Sequence, residues 1–122
     1  MKSEQKQEVK QAVLEYIQSH NGVTYVEVEK IFARMGYDWQ DNYEMRLPGH
    51  DNIVLWSGWS PEAFQIVGDL MHEKAIEPNQ TSIFVYLADG KALPFPIAKK
   101  IFQYKKPRWL PIVFNAWRED EC

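Results

Sequence analysis

The signal that most constrains this chain is Thr24-Tyr25-Val26-Glu27, a capping box. The Thr hydroxyl accepts from the amide three residues on, and Glu27 reaches back to the cap's own amide. Val23 and Val28 stand where a hydrophobic staple would. Val28, Ile31, Phe32 and Met35 then form one apolar stripe, and Gly36 is placed to end the helix. Just before the box, residues 4–19 carry Val9, Ala12, Val13, Tyr16 and Ile17 on a single helical face. His20-Asn21-Gly22 stops that helix, because Asn and Gly accept the left-handed conformation. Two helices joined by about four residues pack as a tight pair. Whatever follows must be built against that pair.

The chain has 122 residues, one domain by length and enough to bury a core without disulfides or metal. Cys122 is the only cysteine, so neither an internal disulfide nor a thiolate cage is expected, and the reducing cytoplasm is the expected compartment. The first six residues have no apolar stretch behind them, and no run approaches the length of a membrane span.

After Gly36, residues 37–52 read as an irregular insertion with a Pro48-Gly49 turn. Ile53-Val54-Leu55-Trp56 reads as a short buried strand, broken at Ser57-Gly58-Trp59. Ser60-Pro61-Glu62 starts a third helix, with Ser at the cap, Pro at the first position and an acid in the first turn. Its apolar face is Ala63, Phe64, Val67, Leu70 and Met71, and it ends near Ala75. Residues 82–87 read as a strand, Asp89-Gly90 as a two-residue hairpin turn, and residues 91–95 as the return strand, confined to an edge by Pro94 and Pro96. Residues 97–104 fit a short helix or strand. Lys105-Lys106-Pro107-Arg108 is a basic turn, and residues 109–114 are apolar and extended.

The order helix, tight turn, helix, strand, helix, hairpin resembles the winged helix-turn-helix superfamily over residues 5–97. The best local match is residues 70–78, followed by residues 83–87 and Asp89-Gly90. The resemblance implies an α+β domain over residues 1–98, with three helices, a small antiparallel sheet and a hairpin wing. A C-terminal extension over residues 99–122 would pack on it. The strand stands between the second and third helices, whereas the commoner order places it between the first and second. Residues 53–59, 86–90 and 105–111 also resemble small uncharacterised proteins of bacterial phages and pathogenicity islands. That likeness implies a mobile-element accessory protein.

Candidate chemistry is sparse. His72-Glu73 is half of a zinc-protease motif, but position 76 is Ile where the second His would stand. His20 is at a helix end, and His50-Asp51 reads as solvated. Asp38, Asp41 and Glu44 match no calcium loop. No Gly-x-Ser-x-Gly elbow and no phosphate-cradling glycine loop occurs, so neither enzyme activity nor a cofactor is expected.

Charge placement is more informative than the net charge of −3. Residues 99–118 carry Lys99, Lys100, Lys105, Lys106, Arg108 and Arg118 with no acid, and Glu119, Asp120 and Glu121 follow. Such cations neutralise phosphates, and Tyr104 and Trp109 beside them could stack on bases. The alternative is an ordinary charged surface over a buried Phe102, Trp109 and Phe114. The third helix argues against groove reading. Its outward positions are Glu62, Gln65, Asp69, His72 and Glu73, and carboxylates repel phosphates.

The expected function is therefore a small regulatory protein contacting duplex DNA through Lys91 on the wing and through Lys99, Lys100, Lys105, Lys106 and Arg108. The alternative is a protein–protein module anchored by Tyr37, Trp39, Trp56 or Trp59 and by the acidic third helix. There the extended residues 112–114 could pair with another chain's edge, and a homodimer is compatible with either reading.

Overall fold

The computed structural model describes residues 2–118, with the backbone alone at residues 2 and 3. Cys122 and the acids at 119–121 lie outside the described residues. The fold is α+β, with four helices and two small sheets among these residues.

Helix α1 (Lys2–Ser19) and helix α2 (Tyr25–Arg34) form the expected pair. The capping box is complete: Thr24 Oγ1 accepts from Glu27 N at 3.1 Å and Glu27 Oε1 accepts from Thr24 N at 3.2 Å. Thr24 also donates to Asp89 at 2.6 Å, so the cap is tied to a distant segment.

The insertion at residues 37–52 is not irregular. It forms strand β1 (Gln40–Leu47), which turns at Pro48-Gly49 into strand β2 (His50–Trp59), a longer strand than expected. The pairing is antiparallel with several register breaks. Tyr43, Met45 and Leu47 alternate with Asn42, Glu44 and Arg46, a strand signal passed over in the sequence, while bulges blur the alternation in the burial pattern. Residues 53–56 of β2 are all buried, as befits a central strand covered on both faces.

Ser57-Gly58-Trp59 does not end β2. Gly58 adopts φ +93, and the register slips there, so that Trp59 faces both Gln40 and Tyr43. Residues three apart on a regular strand point to opposite faces. The glycine kink instead lets Trp56 and Trp59 share one side, with consequences below.

Helix α3 (Pro61–His72) starts as expected, with Ser60 Oγ accepting from Ala63 N at 3.1 Å. It ends slightly early and is followed by strand β3 (Ile76–Gln80). The largest correction comes next. Residues 82–87 are not a strand but open helix α4 (Ile83–Asp89), capped by the Ser82 hydroxyl. Gly90 is its left-handed C-cap (φ 91), not the corner of a hairpin. Asp-Gly serves either role, because both need a residue that accepts positive φ. No wing forms over residues 82–95, and residues 91–95 run without regular structure. Four helices replace the three expected.

Residues 97–104 are neither helix nor strand, apart from an isolated bridge at Ile97. Residues 105–106 bend as expected. The apolar end is extended as β4 (Arg108–Trp109) and β5 (Ile112–Ala116). Strand β4 pairs in parallel with β2, giving the sheet order β1-β2-β4, and β5 pairs antiparallel with β3. Phe114 also bridges back to Val23 through two backbone bonds of 2.7 and 3.0 Å.

One core joins these layers: Val9, Val13 and Ile17 of α1, Ile31 and Phe32 of α2, the β2 tryptophans, Phe64, Ile66 and Leu70 of α3, and Phe114. Tyr25 is its hub, with Trp56 stacked on it and Trp59, Phe64 and Phe114 edge-on within 5.0–6.1 Å.

Candidate functional site

Sequence reasoning missed the most elaborate polar arrangement in the molecule. Glu29 lies on the buried side of α2, four residues after Tyr25, and is almost inaccessible. Its Oε2 accepts from both Trp56 Nε1 (3.0 Å) and Trp59 Nε1 (2.8 Å), the pair that the Gly58 kink brings together. Its Oε1 accepts from Lys91 Nζ at 2.7 Å. A buried carboxylate needs such donors to offset its desolvation. The signal was available: a Glu flanked by apolar positions on the inward stripe of α2.

Three expected binding residues are thereby placed elsewhere. Trp56 and Trp59 are fully buried and present nothing to a partner. Lys91 is not on a wing, and its ammonium closes the Glu29 cluster. Tyr37 and Trp39 are half-buried against Phe32, with ring centroids at 5.2 and 6.2 Å, so they belong largely to the core margin.

The outward face of α3 is engaged within the molecule. Lys6 donates to Gln65 at 2.8 Å, and Lys10 pairs with Glu73, both reaching across from α1. The helix that the resemblance would lay in a groove thus holds the first helix. Beside its start, Gln5, Lys6, Tyr37, Asp38, Asp41 and Glu62 line an open cleft of about 570 Å³. The Tyr37 phenol is pushed up there by burial and then by Glu62 and Asp38. Among the described residues no three His, Cys, Asp or Glu groups are placed to hold a metal ion.

The remaining five cations all fall on one loop. Residues 98–109 form a closed surface loop whose ends are tied by Ala98 N to Trp109 O (2.8 Å) and Trp109 N to Pro96 O (2.8 Å). The loop is docked on the β1–β2 turn: Gln103 donates to Gly49 O at 2.9 Å and Asn52 donates to Tyr104 O at 2.7 Å. Inside it, the Tyr104 hydroxyl donates to Lys100 O at 2.9 Å. Lys99, Lys100, Lys105 and Lys106 are exposed on this loop, with Arg108 at its base. None of the five makes an ion pair among the described residues. The Arg108 guanidinium lies 4.7 Å from the Tyr104 ring centroid, and Lys100 Nζ lies 5.0 Å from that of Phe102.

The apolar residues here divide differently from either expectation. Trp109 and Phe114 are buried, so Trp109 stacks on nothing outside the core. Phe102, expected to be buried, is 53% exposed, and Ile101 is 57% exposed. A basic loop with an apolar tip is a different object from a charged cover over a core.

No family model, no curated protein and no solved structure matches the chain.

Proposed function

We propose that this protein is a small non-catalytic nucleic-acid-binding or regulatory module that contacts phosphates through Lys99, Lys100, Lys105, Lys106 and Arg108. The observation that supports this reading is the gathering of five cations, free of internal ion pairs among the described residues, on one loop held in place at its ends and flank. Unpaired cations on a fixed surface gain most when they displace counterions from a phosphate backbone. In the winged-helix form of this reading, β1–β2 takes the hairpin role, because its turn carries the loop.

The test is binding of a fluorescent duplex DNA across a salt series, with the Lys105→Glu/Lys106→Glu variant alongside. Five phosphate contacts give affinity that falls steeply with salt, and losing two of them lowers it about a hundredfold at 0.1 M salt. If the variant binds as the parent does, the loop is not the contact.

A protein contact is the second reading, and one observation favours it. Helix α4 presents Phe84 (74% exposed), Leu87 (52%) and Val85 to solvent. Apolar side chains grouped in this way on one short helix mark interaction surfaces. A second copy of the chain is the simplest occupant. In that case sedimentation shows a concentration-dependent dimer that Leu87→Glu converts to monomer. A monomer at every concentration removes the self-association.

A further inference from the structure

We infer that the 98–109 loop holds an unpaired nucleotide, so that the nucleic acid it prefers is single-stranded at the point of contact. The inference rests on the phosphate-binding reading above and adds the form of the ligand.

Cations alone do not distinguish a duplex from a single strand, but the apolar tip does. A duplex shows phosphates and base edges outward and keeps base faces stacked within. Exposed aromatic faces find base faces only where the bases are unstacked. In sequence Ile101 and Phe102 stand between Lys99-Lys100 and Lys105-Lys106, and both are more than half exposed, with Lys100 Nζ over the Phe102 ring and the Tyr104 ring edge-on to it at 5.5 Å. Phosphates on either side of one splayed base would meet those lysines while the base covers the apolar pair.

The space fits. Phe102, Gln103, Tyr104, Lys105, Lys106 and Arg108 line an open groove of about 400 Å³. That volume is large enough to seat one base or a phosphate. One wall holds the Arg108 guanidinium over the Tyr104 ring, 4.7 Å from its centroid. Planar cations and aromatic rings of this kind are the usual platform for bases.

Preorganisation points the same way. The hydrogen bonds from Gln103, Asn52 and the Tyr104 hydroxyl fix the loop before any ligand arrives. Little conformational entropy then remains to be lost on binding. Groove reading through α3 is disfavoured, because its outward Gln65 and the adjoining Glu73 are taken up by Lys6 and Lys10 of α1.

The experiment compares a short fluorescent oligothymidylate with a blunt duplex of the same length, at several salt concentrations, for the parent and for Phe102→Ala. Phe102 is exposed, so the variant folds as the parent does, which its circular dichroism checks. Single-strand affinity is expected to exceed duplex affinity by about tenfold, and Phe102→Ala to lower it by about tenfold with the salt slope unchanged. Lys105→Glu/Lys106→Glu weakens both ligands. Equal affinities that Phe102→Ala leaves untouched overturn the stacked nucleotide but keep the phosphate contact. Binding to neither oligonucleotide overturns both readings. So does binding to anionic lipid vesicles alone, which would make the apolar tip a membrane contact.

Discussion

Replacing Glu29 by alanine lowers stability by about 4 kcal/mol, and for a domain of this size that moves the melting temperature down by roughly 15 °C. The loss comes from the two indoles. Trp56 and Trp59 are fully buried and both donate to Glu29 Oε2. A buried donor without an acceptor costs about 1–3 kcal/mol, and the truncated side chain also leaves a void. Lys91 contributes less, because its side chain is 52% exposed and turns to water when its partner is gone. Three variants separate these parts. Glu29→Gln retains one amide oxygen, whose two lone pairs serve both indoles, and costs only about 1 kcal/mol. Lys91→Ala leaves the buried carboxylate with the two indoles alone and costs about 2 kcal/mol. Thermal unfolding followed by tryptophan fluorescence measures all three. If Glu29→Gln proves as damaging as Glu29→Ala, it is the charge that matters and not the acceptor.

The second large effect is alkaline. Burial pushes the phenols of Tyr25 and Tyr86 far above the ordinary tyrosine range. The proximity of Tyr86 adds to the shift at Tyr25, while the hydrogen bond from Tyr25 N opposes it at Tyr86. The Tyr86 hydroxyl accepts that amide at 3.2 Å and donates to Ile112 O at 2.6 Å, so it joins α2 to β5 from α4. In the unfolded chain both phenols ionise near pH 10. In the fold they keep their protons. Their contribution is therefore complete below about pH 10 and falls above it, by about 1.4 kcal/mol per pH unit for each phenol. By pH 12 the two together remove about 5 kcal/mol, comparable with the whole stability of many domains. Tyrosinate absorbance and native fluorescence, recorded in one titration, should show two of the six tyrosines ionising only as the fold is lost. Tyr86→Phe starts from lower stability, with two backbone groups left unpaired, but declines half as steeply. Full tyrosinate amplitude before any unfolding would refute the assignment.

Local chemistry made parts of the fold legible in the sequence. Thr24 with Glu27, and Ser60 with Pro61, announce helix starts by side-chain bonds that need no distant partner. The misread regions depend on tertiary context. Residues 82–87 are rich in β-branched and aromatic side chains, yet Ser82 caps a helix and Gly90 ends it, and α4 is held by Tyr86 and Asp89 reaching α2. Strand β1 alternates over residues 42–47, but its polar start at Gln40-Asp41-Asn42 and the Pro48-Gly49 turn beside it resemble a loop, and its bulges leave most of it exposed. Strand β3 contains Pro78, which argues against a strand until the register places it opposite Phe114 at the margin of a two-stranded sheet. At the candidate site, the charge asymmetry located Lys99, Lys100, Lys105, Lys106 and Arg108. Lys91 carried the same formal charge but is drawn to Glu29, a partner 62 positions away that no local pattern reveals.

The clasp between Val23 and Phe114 also dictates when the chain can fold. Gly22 N donates to Asn115 across a separation of 93 residues, and among the described residues β5 is the strand that pairs with β3. Helices α1 and α2 can form as they leave the ribosome and be covered in part by β2 and α3, but the part of their inner face that packs on β5 stays open until residue 116 has emerged. Closing so long a loop is slow, and an uncovered apolar face is prone to aggregate while it waits. During synthesis the α1–α2 pair is therefore a natural client for a chaperone, until β5 docks and the chain no longer needs one.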